Sequence, residues 1–354
     1  MITLYIIVFI IALWRIKTRR NEQERLQYMS KDSTDAIKGI FILLVFFRHA
    51  NEYVKQSGFE YSSIANNLFS MTDSFLSQLM VVMFLFFSGY GIVYSIINKG
   101  DKYIRNIPRH RILNTLLNFD IAVACFIILS FITGYSVDIK TIILSFTGWE
   151  NVGNSNWYIF AILVCYLSTW LAFAPNRGNL SILTSILLNF ELLIVATIAL
   201  ALAGKQSHWY NTIFAYPIGM LFGLYKEQFD SLISRRFSVC IIGAVVCFAI
   251  STFFFFYKNL QIGEHMHAII YGTSWVARVI SFIITVLMIM AKFSIQNKVL
   301  IWLGGNLFPL YIYQRIPMII LSTYFDLNPT LFIIISILIT CALIPVYGKM
   351  QFKL

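Results

Sequence analysis

Charge is scarce in this chain. Only 12% of its 354 residues are Asp, Glu, Lys or Arg, about half the usual ~25% of a soluble domain, so no hydrophilic shell can be assembled from it. No loop is long enough for a soluble domain, and no internal repeat or low-complexity tract interrupts the chain. The cysteines (Cys125, Cys165, Cys240, Cys247, Cys341) lack CxxC spacing and lie inside apolar runs, where they read as small buried hydrophobes and not as disulfides or metal ligands. His265 and His267 flank Met266 without a third ligand, so no metal site is expected. Residues 1–14 are apolar, but no basic region precedes them and no small-residue cleavage site follows. A retained signal anchor is the expectation there.

What the chain does have is lipid-soluble surface: 58% hydrophobic and 16% aromatic residues, with a mean hydropathy of +0.74. The expected class is all-α, a polytopic membrane protein. About 20 residues of helix cross a hydrocarbon core, and such runs fall near 2–15, 37–54, 77–97, 114–133, 157–174, 180–203, 209–225, 238–257, 268–291, 300–321 and 329–347. That makes about 11 transmembrane helices, the tenth broken by Pro309 and Pro317. Trp14, Tyr53, Trp157, Trp209 and Tyr257 recur near the run ends, as interfacial belts do.

The formal charge of +11 does not point to nucleic acid, because the basic residues sit in short clusters between apolar runs. Those at 15–36, 98–113, Arg235–Arg236, Lys292–Lys298 and Lys349–Lys353 alternate with weakly charged loops at 55–76, 134–156, 258–267 and 322–328. Positive charge marks the cytoplasmic side, so an outside N-terminus and a cytoplasmic C-terminus are expected, in a multi-pass protein of the cell membrane. The chain divides into an anchor and basic loop at 1–34, one membrane domain at 35–348 and a tail at 349–354.

Ionisable groups within a span cost about 2.5 to 3.5 kcal/mol each at its centre, which makes them functional candidates. They are Arg48, His49, Glu52, Asp120, Glu191, Arg278 and Arg315. Pairing of the three arginines with Glu52, Asp120 and Glu191 to hold the bundle together is the structural alternative. Lys38 and His49 lie eleven residues apart, which on a helix puts them on one face, about 16 Å apart along the axis. A cation at the cytoplasmic mouth then lines up with an imidazole deep in the membrane. That suits a long substrate, anionic at one end and reactive at the other, such as acyl-coenzyme A.

The Lys-x10-His spacing of Lys38 and His49 resembles the Arg/Lys-x10-His motif of the acyltransferase family 3 membrane proteins, which O-acylate glycans; Lys38 stands for the commoner Arg. Four further pieces are similar in the same order. They are the Phe-rich helix ending in Ser88-Gly89-Tyr90, the basic Arg109-His110-Arg111, the segment from Ser155 through Trp157 to Leu167, and residues 303–315, where Gln314-Arg315 replaces the His of many members. The resemblance covers residues 35–347 and implies a ten-helix acyltransferase core to which the first helix is an addition.

The expected function is transfer of an acyl group, acetyl foremost, from cytoplasmic acyl-CoA to a hydroxyl of a cell-surface or exported polysaccharide. No permanently bound cofactor is expected. The partners are acyl-CoA, a free or lipid-linked glycan and the bilayer. His49 is the candidate general base, and Glu52 either orients its ring or pairs with Arg48. Lys38, Arg109 and Arg111 are candidate ligands of the donor phosphates, with positive-inside anchoring as the alternative for the two arginines. Ser88 and Gly89 suit close helix packing, Ser88 being also a pocket candidate, and Trp157, Tyr311 and Gln314 suit an acceptor path. A transporter or flippase for a lipid-linked sugar is the rival, using the same charges without chemistry; a glycan polymerase would call for a larger outer loop.

Overall fold

Helices form wherever the apolar runs fall, because in lipid each backbone amide must be satisfied within its own segment. The structure, a computed structural model, describes the chain except for residues 1–5, 8, 9, 12, 21, 59–66, 68–70, 73, 77, 175–180 and 258–263. Half of the expected first span falls outside the described residues, as do much of the loop at 55–76 and the side chain of His265.

In chain order the elements are β1 (Ile16–Thr18), α1 (Lys31–Gln56), α2 (Leu79–Lys99), α3 (Asp101–Thr133), α4 (Ile139–Ser145), α5 (Trp157–Phe173), α6 (Ile182–Leu202) and α7 (Ala215–Leu224). Then come α8 (Lys226–Phe256), α9 (Glu264–Lys292), β2 (Phe293–Ile295), α10 (Lys298–Gly305), α11 (Leu307–Tyr313), α12 (Arg315–Tyr324) and α13 (Pro329–Met350). Among the described residues six helices are long and apolar enough to cross a membrane: α2, α3, α6, α8, α9 and α13. The chain is therefore an all-α membrane protein. α1, α5, α7 and the run α10–α12 occupy further expected segments but are more polar, shorter or broken.

Local chemistry sets several boundaries. Ser30 caps α1 by accepting from the Ser33 amide, with Asp32 in the first turn and Lys55 in the last. Asn297 caps α10 and Asn328 caps α13, where Pro329 fills the first position that has no intrahelical donor to lose. Pro309 and Pro317 each lie in the first turn of α11 and α12, so the breaks fall ahead of them, at Asn306 and Gln314. The basic stretch 98–113, expected as a loop, is helical: Asp101–Ile107 runs into a π-turn at Pro108–Leu113 and on into the apolar part of α3. Pro108 has no amide to donate, and the widened turn starts at that residue.

Two close helix crossings organise the core. Gly39 of α1 lies against the Leu300 carbonyl and Gly304 of α10 against that of Asp35, so near that a Cβ on either would overlap it. Gly89 of α2 meets the Tyr216 carbonyl in the same way, and Gly219 of α7 that of Phe86. Small residues let these backbones approach where lipid gives no hydrophobic drive.

Segments with the same expected sidedness meet. β1 pairs antiparallel with β2, Ile16 opposite Ile295, and the Tyr28 hydroxyl donates to Asp230 at 2.8 Å. At the opposite end Lys205 reaches Glu150 at 3.2 Å and the Tyr324 hydroxyl donates to the Ile132 carbonyl at 2.8 Å.

Candidate active site

α1 is sheltered by its neighbours along most of its length, with Ala36, Ile42, Val45, Phe46 and Ala50 all buried. It can therefore carry polar residues that a lipid-facing helix could not. Lys38 and His49 both border cavities, one at each end of the bundle.

The first cavity, about 600 Å³, lies toward the N-terminal end of α1 and is lined by Lys38, Ser88, Arg111, Asn114, Tyr158 and Tyr311, among others. Lys38 donates to Asp35 at 3.0 Å, and Asp35 also takes Lys31 at 2.8 Å, so one buried carboxylate holds two ammonium groups. The Arg111 side chain donates to the Tyr103 hydroxyl at 3.0 Å. Arg109, two residues earlier, is exposed and does not line the cavity. The helix thus turns one of the two predicted arginines inward. Ser88 shares a 3.0 Å hydrogen bond with the Tyr166 hydroxyl and belongs to this cavity.

The second cavity, about 470 Å³, lies at the other end and brings together Arg48, His49, Glu52, Ser155, Trp157, Lys205, His208, Tyr311 and Arg315. His49 is buried. Its Nδ1 accepts from Arg315 Nη2 at 2.9 Å and lies 3.5 Å from Glu52 Oε2, while Nε2 lies 3.5 Å from Ser155 Oγ. Arg315 also donates to Glu52 at 2.5 Å. One carboxylate and one guanidinium therefore converge on the same ring nitrogen. A guanidinium has no lone pair, so while it bonds Nδ1 the neutral ring carries its proton on Nε2. Passing the Nδ1 position to an N–H facing Glu52 frees Nε2 as the basic nitrogen.

Tyr311 borders both cavities. Its ring meets that of His49 edge-on at 6.4 Å and that of Tyr158 at 5.1 Å. Trp157 starts α5 and packs edge-on against His208 at 5.6 Å. Burial, then the nearby charge of Arg48, holds the His208 imidazole below its ordinary value, so it is neutral at pH 7. Lys205 roofs this end, 4.3 Å and 4.4 Å above the Trp149 and Trp209 rings.

Gln314 is fully buried, donates to the Tyr311 carbonyl at 2.9 Å and borders neither cavity; it fixes the backbone at the α11–α12 break. Of the pairs expected to tie the bundle, Arg315–Glu52 forms, whereas neither Arg278, Asp120 nor Glu191 makes an ion pair among the described residues. Sequence reasoning assigned no role to Ser155, Lys205, His208 or Tyr158. Ser155 and Tyr158 were within reach, since both belong to the family-like segment from Ser155 to Leu167; Lys205 and His208 carry no local signal.

Residues 31–348 match the family described as "Acyltransferase domain". None of the curated proteins and none of the solved structures matches the chain. The match runs from the first residue of α1 almost to the end of α13, through both cavities, and so the chain belongs to acyltransferase family 3 and is a multi-pass membrane acyltransferase.

Proposed function

We propose that the protein takes an acyl group, acetyl in the simplest case, from cytoplasmic acyl-coenzyme A and places it on a hydroxyl of a cell-surface or exported glycan. One observation carries the reading: a single helix, α1, presents Lys38 to one cavity and His49 to the other, and Tyr311 borders both. The donor enters from the Lys38 side, its phosphates meeting Lys38 and Arg111 and its pantetheine arm directed along α1 toward His49. The acceptor enters from the side of Trp157 and His208.

In the transfer, the acceptor hydroxyl oxygen attacks the thioester carbonyl. His49 Nε2 takes the hydroxyl proton, the C–S bond breaks and the proton passes to the departing thiolate, giving ester and free thiol. Glu52 steadies the imidazolium through Nδ1–H. Arg315 leaves Nδ1 and stays on Glu52 before the transfer, so that the neutral ring carries its proton on Nδ1 and offers Nε2 unprotonated. Ser155 lies where the acceptor oxygen or the carbonyl oxygen would come to rest beside Nε2.

The positive-inside pattern supports a Lys38 cavity that faces the cytoplasm and a protein of the cell membrane. An impermeant thiol reagent applied from outside should label a cysteine at position 151 and spare one at 109; the reverse would invert the assignment. The activity test is purified protein with acetyl-coenzyme A and glycan, scoring thiol release and ester formation together. Equal amounts of both are expected. Donor turnover with every acceptor giving no ester would reject the glycan acceptor.

A further inference from the structure

Beside the His49 cavity lies a separate one of about 600 Å³, bordered by Tyr53, Ser130, Thr133, Tyr135, Gly153 and Ser322, among others. It shares three elements with its neighbour. On α1, Glu52 faces the His49 cavity and Tyr53 this one; on α12, Arg315 faces the former and Ile319 and Ser322 the latter. The loop after α4 alternates, with Asn151 and Asn154 on the His49 side and Val152 and Gly153 on this side. Gly153 has φ +99, and a Cβ there would lie 3.2 Å from Ile319, so glycine lets the loop pass between the two spaces. The Arg315 guanidinium lies over the Tyr53 ring at 5.8 Å. The partition is thus one side chain and one turn of loop.

The linings differ in kind. The His49 cavity carries Arg48, Glu52, Glu150, Lys205 and Arg315, whereas among the described residues no Lys, Arg, Asp, Glu or His borders the other. Four of its hydroxyls are already directed. Ser57 donates to Val54 O at 2.8 Å, Ser130 to Ile127 O at 2.7 Å, Thr133 to Leu129 O at 3.0 Å and Ser322 to Ile319 O at 3.1 Å. A hydroxyl that has spent its one proton offers only lone pairs. The lining suits an occupant that is uncharged, brings O–H donors to those four oxygens and takes O–H or N–H from Gln56 and Tyr135, and has an apolar face for Tyr53, Phe126 and Ile319. A pyranose ring meets all three demands.

We infer that this cavity is a second saccharide subsite, holding the sugar next to the one acylated beside His49, so that the acceptor is an oligosaccharide and not a single sugar. The inference rests on the glycan acceptor proposed above. Ser322 lies on the exposed rim, where Ser322→Trp would fill the cavity without disturbing the core; Ser130→Ala and Thr133→Val remove hydroxyls with little change of shape. Transfer is measured to a single sugar and to an oligosaccharide of the same sugar, the latter with and without its lipid carrier, alongside donor hydrolysis without acceptor. The expected result is a rise of about tenfold in KM for the oligosaccharide, on or off its lipid. Single-sugar transfer and donor hydrolysis should be unchanged. Equal effects on both acceptors, or none on the oligosaccharide, would overturn the subsite. A defect confined to the lipid-linked acceptor would assign the cavity to the lipid and equally overturn it. If the unaltered protein acylates no sugar of any length, the glycan reading fails and the subsite with it.

Discussion

Arg278 and Arg315 pose the same energetic problem, a guanidinium within the membrane domain, and the protein solves it in two ways. Arg278 on α9 is fully buried among the rings of Phe75, Phe248, Phe255 and Phe256, at 4.9 to 5.7 Å. Its hydrogen bonds go to the Phe75 carbonyl and to Thr252 Oγ1. Arg315 on α12 meets a carboxylate and an imidazole and borders an open cavity. The first is an end point, its charge absorbed by aromatic faces and a carbonyl. The second is a junction, bonded to two groups that can exchange a proton. A charge within a span signals function when its partners are titratable and a substrate can reach them.

If that distinction is sound, Arg315→Gln should cut acyl transfer at least tenfold, about 1.4 kcal/mol on the barrier. Arg278→Met should leave the rate of transfer per folded molecule unchanged. Assays normalised to folded protein in the membrane check both, and equal losses in the two variants would erase the comparison.

The inner cavity sharpens the same contrast between a charge that faces a cavity and one that does not. Lys38→Ala and Arg111→Ala should each raise the donor KM severalfold to about tenfold, while Lys38→Arg is tolerated. Arg109→Ala should change it little, since that side chain is exposed and outside the cavity. A matching loss in the Arg109 variant would mean that the donor phosphates lie along the helix surface.

The smallest effect expected concerns His208. Its folded value lies below the ordinary 6.5, so the unfolded chain binds the proton first as pH falls. The stability from the neutral imidazole is complete above about 6.5 and is lost as pH drops through the folded value. Thermal unfolding followed between pH 7.5 and 5 should show a downward trend that is shallower in His208→Gln. Equal slopes would remove His208 from the account.

The membrane class was legible because hydropathy acts locally: every apolar run that falls within the described residues is helical over most of its length. Lys38 and His49 were legible for a related reason, since helical periodicity alone places them on one face. The basic stretch before Leu113 is helix where its charge predicts a loop, because charge reports sidedness and says nothing of backbone conformation. Being helical, the stretch turns residues two apart, Arg109 and Arg111, to opposite sides. The Arg315 contact with His49 joins residues 266 apart in sequence, and the break at Gln314 sets which way Arg315 faces. No local pattern encodes such a meeting, so the sequence offers Arg315 three candidate carboxylates without choosing Glu52 and without pointing to His49.

The central claim is that His49 moves the acceptor proton. It is tested most directly by measuring glycan acylation and donor binding together in His49→Ala, against the unaltered protein at equal amounts in the membrane. Transfer should fall about 10²- to 10⁴-fold, the range of a general base, with donor affinity and membrane insertion unchanged, because the donor phosphates are held at the Lys38 end. Retention of most of the acylation activity in His49→Ala would contradict the account.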